Sequence, residues 1–284
     1  MTMLSFHLGP LAIPSAAALL GGALLAAHCA GWLAGRRRGV SVASHLNDML
    51  LWGALAARLG FIAIWFEPYR AQPWSMLDLR DGGFALWAGA LGALAVALWR
   101  GWTQPTLRQP LTAALLAGAL VWASAQAWLA REEAPPLSGQ TLLSLSGAPA
   151  SLPALAQGYP VVVSLWASWC PPCRREMPLL QNAQQNEPGI RFVFANQGED
   201  KAAASQYLQA EGLRLEHVLL DPAGALGAEY GSVALPTTLF FNAQGRLAAT
   251  HLGELSAATL ASLLASVAAE SSPKWVAARR PCAL

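Results

Sequence analysis

Four apolar stretches dominate the first 130 residues and limit the fold of that part more than any other feature. They fall near 11–33, 46–66, 82–99 and 111–130, each close to the roughly 20 residues an α-helix needs to cross a bilayer. In hydrocarbon a segment must satisfy its own backbone polar groups, so stretches of this length predict helices. Charge agrees: only Asp48, Glu67, Asp78 and Asp81 are acidic before Arg131, and no lysine precedes Lys201. Nine of the twelve tryptophans lie here too. Several, including Trp32, Trp65, Trp99, Trp102 and Trp128, sit near segment ends, where indole favours a membrane interface. Residues 1–130 therefore predict an N-terminal all-α transmembrane bundle of four helices.

Arginines orient such a bundle. Arg36, Arg37 and Arg38 follow the first stretch, and Arg100 and Arg108 follow the third. The loop between the second and third mixes Arg70 and Arg80 with Glu67, Asp78 and Asp81. The arginine-rich loops belong in the cytoplasm, which puts both termini in the periplasm. Nothing positive precedes the first stretch, so it does not read as a cleaved signal. Cys29 follows His28, where lipid attachment wants a small residue, and reads as inert packing. Arg58 is a charge inside the second stretch. It marks either a functional site or an arginine held by Asp78, Asp81 or backbone carbonyls.

From Arg131 the composition changes. Over the whole chain charged residues are only 12%, against about 25% in soluble proteins, and twelve of the sixteen acidic residues lie after Arg131. The formal net charge of +2 gives no case for nucleic acid. Residues 131–139 read as a linker stiffened by Pro135 and Pro136, and 271–284 as a flexible tail holding Cys282. Between them, 140–270 alternates strand and helix patterns. Short strands are expected at 141–145 and around Ser151, and buried ones at 160–166 and 190–196. Another is expected at 217–220, and a hairpin at 237–241 and 247–251. Helices are expected at 171–186, kinked at Pro178, and at 201–211, 223–230 and 256–269. The result is an α/β domain with a mixed central sheet.

The chemistry sits at one strand-to-helix junction, VVVSLWASWCPPCRREMP from Val161. Cys170 and Cys173 are spaced Cys-x-x-Cys, with Pro171 and Pro172 in the first turn, where a missing N–H costs nothing. The free N–H groups and positive dipole of that turn favour a Cys170 thiolate, the nucleophile of disulfide exchange. Zinc wants about four ligands, and Cys29 and Cys282 do not form a second pair. Trp169 reads as a partly exposed cover and Trp166 as core, while His217 and His251 read as satisfied strand histidines.

The run WASWCPPCRREMP, with EYGSVALPTTLFF further on, resembles the TlpA/ResA-like branch of the thioredoxin family. That resemblance implies a thioredoxin-like fold and thiol–disulfide oxidoreductase activity, directed toward reduction and needing no cofactor. It implies a cis Leu235–Pro236 bond, with Leu235, Pro236, Thr237, Trp169, Pro171 and Pro172 receiving a substrate strand. It also gives Glu176 and Glu199 roles in tuning the thiols and moving the proton of Cys173; for both the plainer reading is surface charge. Two departures stand out. Ordinary thioredoxins bury an aspartate six positions before the first cysteine, where this chain has Ser164. Reductases dedicated to cytochrome c maturation often carry a glutamate after the cis proline, where this chain has Thr237. The implied partners are periplasmic protein disulfides, the lipid bilayer and a membrane dithiol electron donor (DsbD/CcdA-like), because a lone membrane cysteine cannot relay electrons.

The stretch ARLGFIAIWFEPYRAQPWSMLDLRDGGFALWAGALGA, within roughly 11–100, resembles prolipoprotein diacylglyceryl transferases in its Arg-x-Gly and Gly-Gly segments. That family's catalytic histidine aligns with Trp87, and indole cannot transfer a proton as imidazole does. No counterpart of that family's C-terminal half is legible here. The expectation is a lipid-embedded scaffold. Alternatives are a disulfide-forming oxidase, a redox sensor on the same scaffold, or a lipid-modifying transferase with a redox domain.

Overall fold

The computed structural model describes residues 5–8, 11–36, 39–70, 73–129, 131, 134–232 and 234–270. The chain divides into two units, Ser5–Met76 with Gly82–Glu133, and Leu77–Asp81 with the chain from Ala134 onward. Cys282 and the predicted tail lie outside the described residues.

The first unit opens with an antiparallel pair, β1 (Ser5–Leu8) and β2 (Leu11–Pro14), followed by helix α1 (Ser15–Arg36). The first helix thus begins four residues later than the apolar pattern suggests. Proline disfavours helical backbone at the residue before it, which holds Ile13 extended. Helices α2 (Ala43–Ile64), α3 (Phe66–Arg70), α4 (Leu86–Thr103) and α5 (Arg108–Leu129) follow. Helix α1 packs on α5, and α2 on α4.

Three segments, Ala18–Arg36, Ala43–Ile64 and Pro105–Leu129, are long and apolar enough to cross a membrane. The expected fourth span is not among these, and its helix is displaced toward the C-terminus. Gly82 has φ +68 and Ala85 is extended, so α4 starts only at Leu86 and soon reaches Arg100. Outward-facing Leu25, Leu51, Leu98, Leu116 and Leu120 give the unit an apolar exterior suited to lipid.

Small residues bring α2 and α4 close. A methyl on Gly92 would stand 2.6 Å from the Ala56 Cβ, and one on Gly60 2.7 Å from the Ala88 Cβ. Such contacts suit helices in lipid, where packing, not exclusion of water, drives association. At one end of the unit the α2 start, the α4 end and the α5 start share a cluster of Val42, Leu46, Ala97, Leu107 and Leu111. Asp48 pairs with Arg100 there at 2.8 Å. The Arg36 and Arg100 ends of α1 and α4 therefore share a side.

Arg58 is 5% exposed and is satisfied by backbone. Its Nη1 donates to the Gly83 carbonyl at 2.9 Å, and Nη2 to the Met76 carbonyl at 3.0 Å. The rings of Tyr69 and Phe84 lie 5.6 and 5.8 Å from its guanidinium carbon. A methyl on Gly83 would strike the Phe61 ring at 2.4 Å, so this approach needs glycine. Of the two readings of Arg58, the backbone-held one matches this geometry. Cys29, expected to pack, is instead exposed and free.

The second unit is a seven-stranded mixed sheet in the order β4-β3-β7-β6-β5-β8-β9. Its strands are β3 (Thr141–Ser144), β4 (Pro149–Ser151), β5 (Val161–Trp166), β6 (Arg191–Gln197), β7 (His217–Asp221), β8 (Thr237–Phe241) and β9 (Leu247–Leu252). Strands β5, β6 and β7 run parallel, while β8 and β9 are antiparallel neighbours. The helices are α6 (Leu152–Ala156), α7 (Pro171–Asn186), α8 (Lys201–Ala210), α9 (Ala225–Glu229) and α10 (Ala257–Glu270). Every residue of β5 is buried, as a central strand covered on both faces requires. The face bearing Val162, Trp166 and Phe240 packs with the dithiol, Met177, Leu260 and Leu264. The other face packs Val161, Val163 and Leu239 with Leu226.

Part of the stretch read as linker is bound to this unit. The Leu137 N–H donates to the Gly245 carbonyl at 2.8 Å, and the Leu247 N–H to the Pro135 carbonyl at 3.0 Å. The Ser138 hydroxyl donates to Glu229 at 2.6 Å, and the Tyr230 hydroxyl to the Pro136 carbonyl at 2.9 Å.

Candidate active site

Strand β5 ends at Trp166, and the chain turns through Ala167, Ser168 and Trp169 into α7. Cys170 is the N-cap of α7, with Pro171 and Pro172 in the first turn. The Cys173 N–H donates to Cys170 Sγ at 3.3 Å, so a helix-end donor already serves that sulfur. The two cysteines form a disulfide with Cα atoms 5.3 Å apart. Cys170 is 3% exposed and Cys173 is fully buried. Trp169 is 66% exposed beside them, whereas Trp166 is core and lies 5.5 Å from the Tyr207 ring. Pro171 is exposed and Pro172 half-buried.

Glu176 is not surface charge. It stands one helical turn beyond Cys173 on the same face of α7, and is 1% exposed. The Leu255 N–H donates to its Oε2 at 3.2 Å, while Oε1 has no partner. Burial is the main cause that pushes this carboxyl up to about 8, with the charge of Glu254 adding and the Leu255 N–H opposing. The Ser164 hydroxyl is close enough to oppose the rise as well, although it is not placed for a regular hydrogen bond. Arg175 and Arg174, on the exposed side of α7, pair instead with Glu254 at 2.6 Å and Glu211 at 2.7 Å.

Glu199 is brought to the same junction from the end of β6. It accepts from the Ser168 N–H at 2.7 Å, the Ser168 hydroxyl and the Asn196 amide at 2.6 Å. Those bonds hold the loop that carries Trp169. Ser168 and Asn196 were not legible as site residues, since nothing in their spacing marks them.

The Leu235–Pro236 peptide is cis. Leu235 is half-buried and Pro236 buried, with the Pro236 carbonyl accepting from the Gly253 N–H at 2.9 Å. Thr237 is fully buried and its hydroxyl donates to the Ala234 carbonyl at 2.7 Å. Its side chain thus closes its own loop. Arg58 belongs to the other unit.

The Redoxin family profile matches residues 130–265, and the Prolipoprotein diacylglyceryl transferase profile matches residues 4–128. The chain is 27% identical over 152 residues to Sporulation thiol-disulfide oxidoreductase A of Bacillus subtilis, covering 51% of this chain and 90% of that protein. It is 35% identical over 102 residues to Thiol:disulfide interchange protein DsbE of Escherichia coli, covering 36% of this chain and 54% of that one. Against Thiol-disulfide oxidoreductase ResA of Bacillus subtilis it is 29% identical over 102 residues, covering 35% and 56%. It thus spans little more than half of the latter two relatives. Residues 130–265 thus match the Redoxin family and are similar to named thiol–disulfide oxidoreductases, and residues 4–128 are similar to prolipoprotein diacylglyceryl transferases.

Proposed function

We propose that the whole chain is a membrane-anchored, periplasm-facing oxidoreductase that reduces disulfides of periplasmic proteins. The observation that carries this reading is the Cys170–Cys173 pair at the start of α7, with exposed Trp169 on one side and buried Glu176 on the other. In the dithiol form the Cys170 thiolate attacks a substrate sulfur, making a mixed disulfide and releasing one substrate thiolate. Cys173 passes its proton to the Glu176 carboxylate and attacks the Cys170 sulfur. The second substrate thiolate leaves, and two electrons have moved from the dithiol to the substrate. Trp169, Pro171, Pro172, Leu235 and Pro236, with the Thr237 backbone, form the surface on which a substrate strand lies. Glu199 fixes the loop before Cys170, leaving proton handling to Glu176.

In this reading residues 1–130 anchor the protein through four spans, α4 being the shortest, with both termini in the periplasm. Residues 131–139 connect to the redox domain at 140–270, and 271–284 form a tail. A membrane dithiol protein of the DsbD/CcdA kind returns electrons to Cys170–Cys173. The bundle acts as anchor and scaffold, because Trp87 stands where the transferase family places its catalytic histidine and is 60% exposed.

Full-length Cys173→Ser protein, expressed in a bacterial inner membrane, should accumulate mixed disulfides with several periplasmic proteins. Capture of a single partner, or of none, would favour a redox sensor over a reductase.

A further inference from the structure

Glu176 needs a route for its proton, and one row of side chains crosses the sheet beneath it. Ser164 on β5 faces Thr238 on β8, and Thr238 faces His251 on β9, as directly paired residues of antiparallel strands. Paired residues put their side chains on the same face with Cβ atoms about 5 Å apart. That face is the one packed with Val162, Trp166, Phe240 and the dithiol. Ser164 is 1% exposed and Thr238 fully buried, yet neither hydroxyl has a hydrogen-bond partner. Glu176 Oε1 lacks one as well. Orphaned polar atoms are costly in an apolar layer, so three beside one another call for an explanation. His251 ends the row on β9, the edge strand of the sheet, where it is half-buried and meets the Glu254 carbonyl at 3.3 Å.

We propose that Ser164, Thr238 and His251 are a proton relay connecting Glu176 to solvent at the sheet edge. A hydroxyl both donates and accepts, so a side-chain rotation or one intervening water joins neighbours in the row. This inference rests on Glu176 acting as the acceptor for Cys173. At neutral pH the buried carboxyl holds a proton, which passes to Ser164, then to Thr238 and then to His251, which releases it to water. The carboxylate left behind accepts the Cys173 proton as the thiolate closes on Cys170, which returns Glu176 to its protonated starting state. Glu176 is faced by Ser164, the Leu255 N–H and the charge of Glu254. His251 is held below its usual range mainly by burial, with the Glu254 carbonyl and the Asp81 charge opposing. It is therefore neutral near pH 7 and able to accept.

The test uses full-length protein in detergent with Cys29 and Cys282 replaced by serine, reduced and mixed with dithiobis(nitrobenzoate). Attack by Cys170 releases the first nitrothiobenzoate, and resolution by Cys173 the second. Thr238→Val and Ser164→Ala should leave the first phase unchanged. Near pH 7 they should slow the second at least about 5-fold, a part of the ~10²-fold a positioned proton-transfer group supplies. Above pH 9, where Glu176 is already ionised, the deficit should vanish. Unchanged second phases, or a deficit equal at every pH, would overturn the relay. Glu176→Gln separates the two ideas. If it slows resolution while both hydroxyl variants do not, only the relay fails; if it has no effect, the acid's role fails first.

Discussion

Cys170→Ser is expected to lower disulfide exchange by at least about 10³-fold, because a serine hydroxyl supplies no thiolate at neutral pH. The position is set for that nucleophile by the fold: Cys170 caps α7, and its sulfur accepts the Cys173 N–H at 3.3 Å. The helix dipole adds to that donor and favours negative charge on Cys170 over Cys173, which is fully buried. Insulin reduction by the full chain in the presence of dithiothreitol would measure the loss. Cys173→Ser should still attack but stall after one event, so its first phase survives while turnover ends. Equal first phases in the wild type and in Cys170→Ser would mean that the other cysteine attacks.

Glu176→Gln has the second largest expected effect, and it is twofold. Resolution by Cys173 should slow by about 10²-fold, the usual contribution of a positioned base. Stability should change in the opposite sense. Below pH 4.5 the carboxyl is protonated whether the chain is folded or not, and between 4.5 and about 8 the folded protein keeps a proton that the unfolded chain has released. Stability of the oxidised protein therefore falls as pH rises through that window, by on the order of 5 kcal/mol at most. Glutamine keeps an acceptor for the Leu255 N–H without the charge, so the variant should lose most of this fall and exceed wild type at pH 8. Denaturant midpoints at pH 5 and pH 8 measure both slopes; parallel slopes would show that Glu176 does not carry the effect.

Most of the C-terminal domain was legible because its signals are local. The β-branched run before Cys170 reads as a strand covered on both faces, and Pro171–Pro172 mark the start of α7. The order of elements then leaves little choice of sheet. The burial of Glu176 was not legible, since three residues of spacing put it on the Cys173 face without revealing that the loop at Leu255 closes over it. Glu199 was named for its place after β6, but its bonds to Ser168 depend on contact across 31 residues of sequence. The row of Ser164, Thr238 and His251 depends on strand register, which no single segment encodes. In the first unit, apolar length located the helices but set α1 and α4 about four residues early, because Pro14 and Gly82 delay the starts.

The direction of electron flow is the centre of the account, and the reduction potential of Cys170–Cys173 tests it most directly. Full-length protein lacking Cys29 and Cys282 would be equilibrated with thiol–disulfide buffers and its free thiols counted by alkylation. A reductant of periplasmic disulfides should titrate below about −200 mV, whereas a value near −120 mV, that of strong thiol oxidants, would contradict it.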